Sequence, residues 1–294
     1  MLGFSVCETA FAKINLHLKV GNKRSDGYHE IESLFQQISL ADYISVSLAE
    51  NFSIESVNFK LPVENTLKKA YEVFCEASGF QKGVKVLLVK GIPSGAGLGG
   101  ASTDAVALLK ALNRLSGVGF SELELEALAL KVGSDCPFFV KGGTSFVSGR
   151  GEKLEQIPSF TGFGLMVFPQ VESKTQKAYA LLDEARGASK KSCKATKDFG
   201  NRKELLRKYK TKPFSKWVGN GTELFTNDFE KVIFQNQPEV ARAKVAVLKA
   251  GADFALMSGS GSAVFGLFEK VENLQEAKRL LEKEYSFCKP FMFI

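Results

Sequence analysis

The chain has 294 residues, of which 45% are hydrophobic and 24% are charged, and its formal net charge is +7 at pH 7. This composition is typical of a folded globular protein and excludes a disordered or fibrous chain. Because the length exceeds the usual size of one compact domain, we expect two domains, comprising residues 1–157 and residues 158–294.

The cysteine and hydropathy patterns indicate a cytoplasmic protein. The five cysteines are odd in number and form no CxxC pair, which argues against a disulfide framework or a thiolate zinc site. No apolar run reaches about 18 residues, so we expect no membrane-spanning helix and no membrane partner. The first residues reach Glu8 before any long apolar run, and a secretory signal is therefore not expected.

The positive charge is concentrated in one segment. Between Arg186 and Lys216 the chain has twelve lysines or arginines and only two acidic residues. A nucleic-acid-binding patch is one interpretation, but few aromatic residues are interleaved and no binding motif is present. We favour a solvated insertion and expect no nucleic-acid partner.

The first half of the chain contains both predicted strands and predicted helices. In order, these are a half-buried strand from Phe11 to Val20, a turn at 24–30, strands at 38–48 and 53–59, a helix capped by Asn65 and ending at Gly79, a strand at 85–93, helices at 101–115 and 121–133, and a strand at 144–149. The first quarter is therefore rich in strands.

The second half alternates between the two kinds of element. It is predicted to contain a strand at 162–169, a helix from Thr175, a helix near Asp228, a helix from Pro238 to Ala250, a strand, turn and strand within 254–268, a helix from Asn273 to Tyr285, and an edge strand at 287–294. This alternation predicts a layered α+β domain.

Residues 91–103, here called the glycine-rich segment, contain five glycines directly before a predicted helix. Glycines allow a positive φ and close backbone approach, and a helix start offers free N–H groups and the positive end of a dipole, so the segment predicts phosphate binding. A flexible turn is the structural alternative. A dinucleotide-binding motif is not supported, because a second helix follows where a strand is required. No Walker A sequence is present.

Residues 257–268, here called the second glycine segment, combine short side chains with apolar residues. A tight turn in this segment could approach the glycine-rich segment or a ligand. A strand, turn and strand with only a packing role is an equal alternative.

The motifs together resemble the GHMP small-molecule kinases. The matching text is AKINLHLKV with RSDGYHEIESLFQ, then GIPSGAGLGGASTDA, GSDCPFF, NDFE and MSGSGSAVFGLF. The resemblance implies an α+β fold, with an N-terminal domain similar to ribosomal protein S5 domain 2 and a ferredoxin-like C-terminal domain. It implies transfer of the ATP γ-phosphate, with Mg²⁺, to the 2-hydroxyl of cytidyl-diphosphate methylerythritol, a step of the non-mevalonate isoprenoid pathway.

The resemblance also implies roles for particular residues in phosphoryl transfer. Asp135 would accept the proton of the substrate hydroxyl, with Lys13 as its partner, whereas a helix cap is the alternative role for Asp135. The segment that would hold the ATP phosphates consists of Pro93, Ser94, Gly95, Ala96, Gly97, Leu98, Gly99, Gly100, Ala101, Ser102 and Thr103. Ala101 and Thr103 replace the glycine and serine that the family often has there. No magnesium ligand is assigned, although Ser102 is a possible contact.

The substrate-binding residues follow from the same resemblance. Asn15 would bind the substrate near the reacting hydroxyl. Tyr28 would stack on cytosine and His29 would bind its edge. Thr175 and Tyr179, one helical turn apart, would close the other side of the base.

Three other functions remain as alternatives. Another GHMP kinase, acting on mevalonate, homoserine or a sugar, would share the glycine-rich segment but has no need of the DGYHE motif. A catalytically silent sensor would not need both Lys13 and Asp135. A nucleic-acid-binding protein would use the basic segment and bind with a steep salt dependence.

Overall fold

The computed structural model describes residues 4–159, 161–188 and 225–294. The described elements are β1 (Ser5–Lys23), β2 (His29–Ala49), β3 (Ser53–Ser56), α1 (Thr66–Ser78), β4 (Gly83–Val89), α2 (Gly100–Ser116), α3 (Glu122–Val132), α4 (Phe138–Lys141), β5 (Thr144–Gly149), β6 (Lys153–Ile157), β7 (Phe163–Phe168), α5 (Thr175–Ala188), α6 (Glu230–Asn236), α7 (Pro238–Lys249), β8 (Phe254–Met257), β9 (Val264–Phe268), α8 (Val271–Leu281) and β10 (Phe287–Met292). Within these ranges no helix is long and apolar enough to span a membrane.

The chain forms two compact units that are interleaved in sequence. The first unit comprises Met1–Ala12, Ser39–Ser94 and Gly99–Gly142, and the second comprises Lys13–Ile38, Gly95–Leu98 and Gly143–Ile294. These units do not coincide with a single division of the chain after residue 157. That predicted domain boundary stays a prediction.

The first unit packs α1, α2 and α3 around apolar side chains beside a small sheet. The C-terminal half of β2 pairs antiparallel with β4 from Tyr43 opposite Val89, and β3 pairs parallel with β4. The predicted cap of α1 is confirmed, because the Asn65 side chain accepts a hydrogen bond from the Lys68 amide at 3.0 Å. Gly79 ends this helix with φ 68°, as predicted.

The second unit contains a four-stranded antiparallel sheet in the order β10, β7, β9, β8. α7 packs against β8 and β9, and α8 packs against β7 and β10. Every residue of β8 and β9 is buried. The predicted edge position of the last strand is confirmed by β10. The N-terminal half of β2 also belongs to this unit, where it pairs antiparallel with β5, which pairs with β6.

Several predicted elements differ from the structure. The strand from Phe11 to Val20 is not half-buried, since every residue from Ala12 to Leu18 is buried. Its polar residues alternate with apolar ones as predicted, but other side chains of the second unit cover the polar face. β2 begins nine residues before its predicted start at Ile38, and β6 was not predicted. Of the basic segment, only residues 186–188 lie within the described ranges, so its predicted role stays a prediction.

Candidate active site

Lys13 and Asn15 form a buried polar pair on one face of β1. The Lys13 side chain is 3% exposed, and its Nζ donates to Asn15 Oδ1 at 2.6 Å. The same ammonium group lies 4.6 Å from the centre of the Phe35 ring. Asn15 Nδ2 donates to Ser33 Oγ at 2.9 Å. The predicted placement of the two residues on one strand face is therefore confirmed, and the amide is oriented by hydrogen bonds on both sides.

Ser258 connects this strand to the glycine-rich segment inside the second unit. The Asn15 amide donates to Ser258 Oγ at 3.3 Å, and Ser258 Oγ donates to the Gly97 carbonyl oxygen at 3.0 Å. The Lys13 amide donates directly to the Leu98 carbonyl oxygen at 3.0 Å. The backbone that carries the lysine is thus fixed to the glycine-rich segment by two routes.

The second glycine segment packs on residues 95–98. The Ala263 amide donates to the Ala96 carbonyl oxygen at 3.1 Å. A Cβ atom on Gly97, whose φ is +76°, would overlap the Ser258 carbonyl oxygen. The turn was predicted to approach either the glycine-rich segment or a ligand. The structure shows the approach to the glycine-rich segment. Gly97 is therefore required by packing as well as by its backbone conformation.

The last part of the glycine-rich segment begins α2. Gly99 occupies the N-cap position with φ 72° and supplies no side-chain cap, so the first amides of the helix keep their hydrogen-bonding capacity. Ala101 is exposed, Ser102 is half-buried and Thr103 is buried. Uncapped amides at the positive end of a helix dipole are suited to an anion such as phosphate.

Three buried charged residues lie at the two ends of the same segment, within the first unit. Lys90 Nζ forms an ion pair with Asp42 Oδ2 and donates to Asp104 Oδ2 at 2.8 Å. Burial raises the pKa of Asp104 to about 8, although the positive charge of Lys90 acts in the opposite direction. Sequence reasoning missed this cluster. Its members are distant in the sequence, and no local pattern connects them.

Asp135 lies in the turn before α4, also in the first unit, and is half-buried. The N-cap position of that helix is Pro137, so Asp135 is not at the capping position that was its alternative role. The next residue, Cys136, is buried, and burial raises the pKa of its thiol to about 12 although a hydrogen bond with Ser102 lowers it. A thiol in that state is not a nucleophile near neutral pH.

The predicted interaction of Lys13 with Asp135 would involve residues from both units. Lys13 belongs to the second unit and Asp135 to the first. Their pairing stays a prediction.

Tyr28 and His29 follow the predicted turn but have different environments. Tyr28 is 51% exposed, and the Arg150 guanidinium lies 5.0 Å from the centre of its ring. His29 is buried, and its Nε2 lies 2.8 Å from Asp183 Oδ1. The His29 ring stacks on Tyr179 with centroids 4.7 Å apart and an interplanar angle of 18°.

The structure therefore brings His29 and Tyr179 together and places Thr175 elsewhere on the same helix. Thr175 is exposed, and its Oγ1 lies 2.9 Å from Ser260 Oγ in the second glycine segment. Asp183 is a contact that sequence reasoning missed. Its signal was available, because it stands four residues after Tyr179 and shares that face of α5.

Metal ligands are not evident from clustering. Among the described residues, no group of three or more histidine, cysteine, aspartate or glutamate side chains is arranged to hold a metal ion.

Comparison with known proteins gives the same family for both halves of the chain. The model of the GHMP kinases N terminal domain matches residues 65–143, and the model of the GHMP kinases C terminal region matches residues 203–286. The chain is 39% identical to 4-diphosphocytidyl-2-C-methyl-D-erythritol kinase of Treponema pallidum, with 95% of each chain covered. It is also 39% identical to the kinase of that name from Thermotoga maritima, covering 88% of this chain and 90% of the relative.

A solved structure supports the same relationship. The crystal structure of a 4-(cytidine 5'-diphospho)-2C-methyl-D-erythritol kinase superposes with a TM-score of 0.77 at 31% identity, covering 98% of this chain and 99% of the other. The predicted two-domain α+β kinase fold is thereby confirmed.

Proposed function

The chain belongs to the GHMP kinases and, within them, to the 4-diphosphocytidyl-2-C-methyl-D-erythritol kinases, and on that premise we propose that it transfers the γ-phosphoryl group of ATP to the 2-hydroxyl of 4-diphosphocytidyl-2-C-methyl-D-erythritol in the non-mevalonate isoprenoid pathway. The observation that carries the proposal is the Lys13 amide bonded to the Leu98 carbonyl oxygen. This bond fixes a buried lysine next to the segment suited to phosphate. The reaction needs that combination of positive charge and anion-binding backbone.

Lys13 and Asp135 would have different catalytic roles at the reacting hydroxyl. Asp135 would take the proton as the oxygen attacks the γ-phosphorus atom, and the Lys13 ammonium would stabilise the negative charge on the transferred oxygens. Asn15 orients that ammonium through its Oδ1 and would place its own amide near the substrate. A lysine held by a neighbouring side chain loses less rotational freedom on binding.

The start of α2 would hold the ATP phosphates. The amides at 100–102 carry no side-chain cap, and glycine at 99 and 100 allows close approach of a ligand to the backbone. Mg²⁺ would accompany ATP and neutralise phosphate charge. It keeps most of its water ligands, so it needs few ligands from the protein. The half-buried hydroxyl of Ser102 is an oxygen donor of the kind that Mg²⁺ accepts.

Cytosine recognition would use the exposed face of Tyr28, with His29, Thr175 and Tyr179. Stacking on one aromatic ring contributes roughly 1–3 kcal/mol to binding of a base. The Arg150 guanidinium on Tyr28 and the Asp183 carboxylate on His29 restrict both rings before any ligand binds. A cytoplasmic location and the absence of a nucleic-acid partner remain predictions.

The test is a product assay with three acceptors. The protein is incubated with Mg-ATP and the cytidyl-diphosphate substrate, its uridine analogue, or uncytidylated methylerythritol phosphate, and ADP and phosphorylated product are measured. We expect rapid transfer to the first acceptor only. Equal transfer to uncytidylated methylerythritol phosphate would contradict the assignment, and transfer to none of the three acceptors would favour another GHMP kinase or a catalytically silent sensor.

The catalytic roles are tested by Asp135→Asn. Loss of an oriented base lowers kcat by about 10²–10⁴, whereas ATP binding should be retained. Glu122→Gln, at an exposed position in the first turn of α3, is the control for removal of a carboxylate. A folded Asp135→Asn enzyme with the wild-type kcat would remove Asp135 from the mechanism.

A further inference from the structure

The β2 and β4 ladder ends where the glycine-rich segment begins. The last pair in the register is Tyr43 with Val89. Beyond it, Asp42 Oδ1 accepts hydrogen bonds from the Gly91 amide at 2.6 Å and the Ile92 amide at 2.7 Å. A carboxylate thus takes the place of the next strand carbonyl and binds the first two amides of the segment. Charge-assisted bonds of this kind are stronger than those of a neutral ladder.

Gly91 has a steric reason to be glycine at this exit. A Cβ atom there would overlap the Ala41 carbonyl oxygen. The backbone therefore runs against β2 as it leaves the sheet, and the Asp42 carboxylate holds it in that path.

Lys90 connects this exit with the other end of the segment. Its Nζ forms an ion pair with Asp42 and a 2.8 Å hydrogen bond with Asp104, which lies in the second turn of α2. The same nitrogen would lie 3.3 Å from a Cβ atom on Gly100, the first residue of the helix. One ammonium group therefore binds the carboxylate that holds the start of the segment and also lies next to the start of α2.

The cluster is buried, and it combines the ion pair of Lys90 and Asp42 with Asp104, whose pKa is raised. The side chains of Asp42, Lys90 and Asp104 are 0%, 11% and 5% exposed. Burial lowers the pKa of Lys90, but attraction to Asp104 and Asp42 outweighs burial and raises it. The lysine therefore stays charged. Removing Lys90 would leave the Asp42 carboxylate buried without a counter-charge, and removing Asp104 would leave one N–H of Lys90 without its acceptor, so the three residues act as a unit.

We propose that Lys90, held by Asp42 and Asp104, is a positioning residue for ATP. It fixes the exit of β4 relative to the start of α2, and so keeps the backbone between them in the conformation that receives the phosphates. The inference rests on the proposed function. It adds a requirement for a buried cation that acts through Asp42 and Asp104.

The experiment measures the dissociation constant for Mg-ATP by titration calorimetry, and KM and kcat with both substrates. In Lys90→Met we expect ATP affinity to fall about tenfold or more, with the KM for the second substrate within about twofold of the wild-type value. The control is Lys85→Met, because Lys85 is also on β4 and pairs with Glu55 at 2.8 Å, but is exposed. It should leave ATP affinity unchanged.

A second pair of variants applies whether or not Lys90→Met folds. Asp104→Asn keeps an oxygen acceptor for Lys90 and should retain ATP affinity within about threefold, whereas Asp104→Ala removes it and should weaken ATP about tenfold. A merely stabilising cluster would lower the melting temperature of both variants and change ATP affinity in neither.

The outcomes separate this inference from the proposed function. Wild-type ATP affinity in folded Asp104→Ala overturns the positioning role, even if the wild-type protein phosphorylates the cytidyl substrate. A wild-type protein that binds Mg-ATP but phosphorylates no acceptor would overturn the proposed function, and the ATP titrations would still decide the role of Lys90.

Discussion

Both units bury polar side chains next to the glycine-rich segment, but with different chemistry. In the first unit the buried groups are ionic, with Lys90 between Asp42 and Asp104. In the second unit they are Lys13 and Asn15, and the same buried strand face also carries the imidazole of His17. His17 Nδ1 accepts a hydrogen bond from the Thr226 amide at 3.3 Å, and within the described ranges its Nε2 has no hydrogen-bond partner.

The difference predicts opposite responses of the two units to pH. Burial lowers the pKa of His17 from 6.5 to about 4, with a smaller effect of the positive charge of Lys19. Burial raises the pKa of Asp104 from 3.8 to about 8. The second unit should therefore lose stability in acid and the first in base, because each must accept an unfavourable charge.

The largest expected effect tests whether the contact between the glycine-rich segment and the second glycine segment stabilises the fold. Gly97→Ala places a Cβ atom against the Ser258 carbonyl oxygen, and should lower the free energy of unfolding by more than about 4 kcal/mol in denaturant titrations. Gly117→Ala is the control, since its φ is +71° but nothing lies within 4 Å of the added atom. It should cost only about 1–2 kcal/mol. Equal losses would show that backbone conformation alone requires glycine at 97.

The next effect concerns the acid response. The folded pKa of His17 is below its unfolded value, so its contribution to stability is complete above pH 6.5 and is lost as pH falls through about 4. The difference corresponds to about 3 kcal/mol. His17→Asn keeps an acceptor for the Thr226 amide and does not titrate. In denaturant titrations from pH 7 to pH 4, the free energy of unfolding should decline less in the variant than in the wild type. Equal declines in the two proteins would contradict the role of His17 in the acid response.

A smaller effect is expected in base. The folded pKa of Asp104 is above its unfolded value, so its stabilising contribution is complete below pH 3.8 and is lost as pH rises through about 8. A measurement that starts at pH 6 covers only about half of this change, so the decline seen is smaller than the one expected for His17 in acid. Melting temperatures measured from pH 6 to pH 9 should fall less in Asp104→Asn than in the wild type. Parallel curves for both proteins would assign the alkaline response to other groups.

The smallest effect concerns Ser258, which connects β1 with the glycine-rich segment. Ser258→Ala removes its bonds with the Gly97 carbonyl oxygen and the Asn15 amide, and should cost about 1–2 kcal/mol of unfolding free energy. Because Asn15 orients Lys13, kcat should also fall by a few-fold. A variant with unchanged stability and unchanged kcat would show that the bonds are replaced by water.

Local signals were sufficient to predict most elements and their ends. Asn65 and Gly79 delimit α1 as their side-chain and backbone preferences require. At α3, Ser121 and Glu124 form a capping box, and the helix begins at the next residue after Ser121. These signals involve neighbours in sequence, so no tertiary information was needed. The same holds for the turn before His29, where Gly27 has φ 84°.

Burial and long-range pairing could not be predicted in the same way. The polar face of β1 has the pattern of an exposed face, and only the placement of Ser33 and Ser258 beside it explains why Lys13 and Asn15 are buried. Asp42 and Asp104 are 62 positions apart and meet at Lys90 because of sheet register and helix direction. The resemblance supplied the roles of Lys13 and Asp135, but neither spacing nor composition supplied their environments.

The interleaving of the two units affects how the chain must fold during synthesis. Within the second unit, residues 13–38 leave the ribosome before the other parts and β10 leaves it after them. The parts of β1 and β2 that belong to this unit are therefore synthesised more than two hundred residues before β10 completes it. A fragment that begins at residue 158 would lack both strands and expose the side chains that they cover. Expression of the two predicted domains as separate proteins should yield insoluble material, and co-expression of both fragments should restore soluble protein.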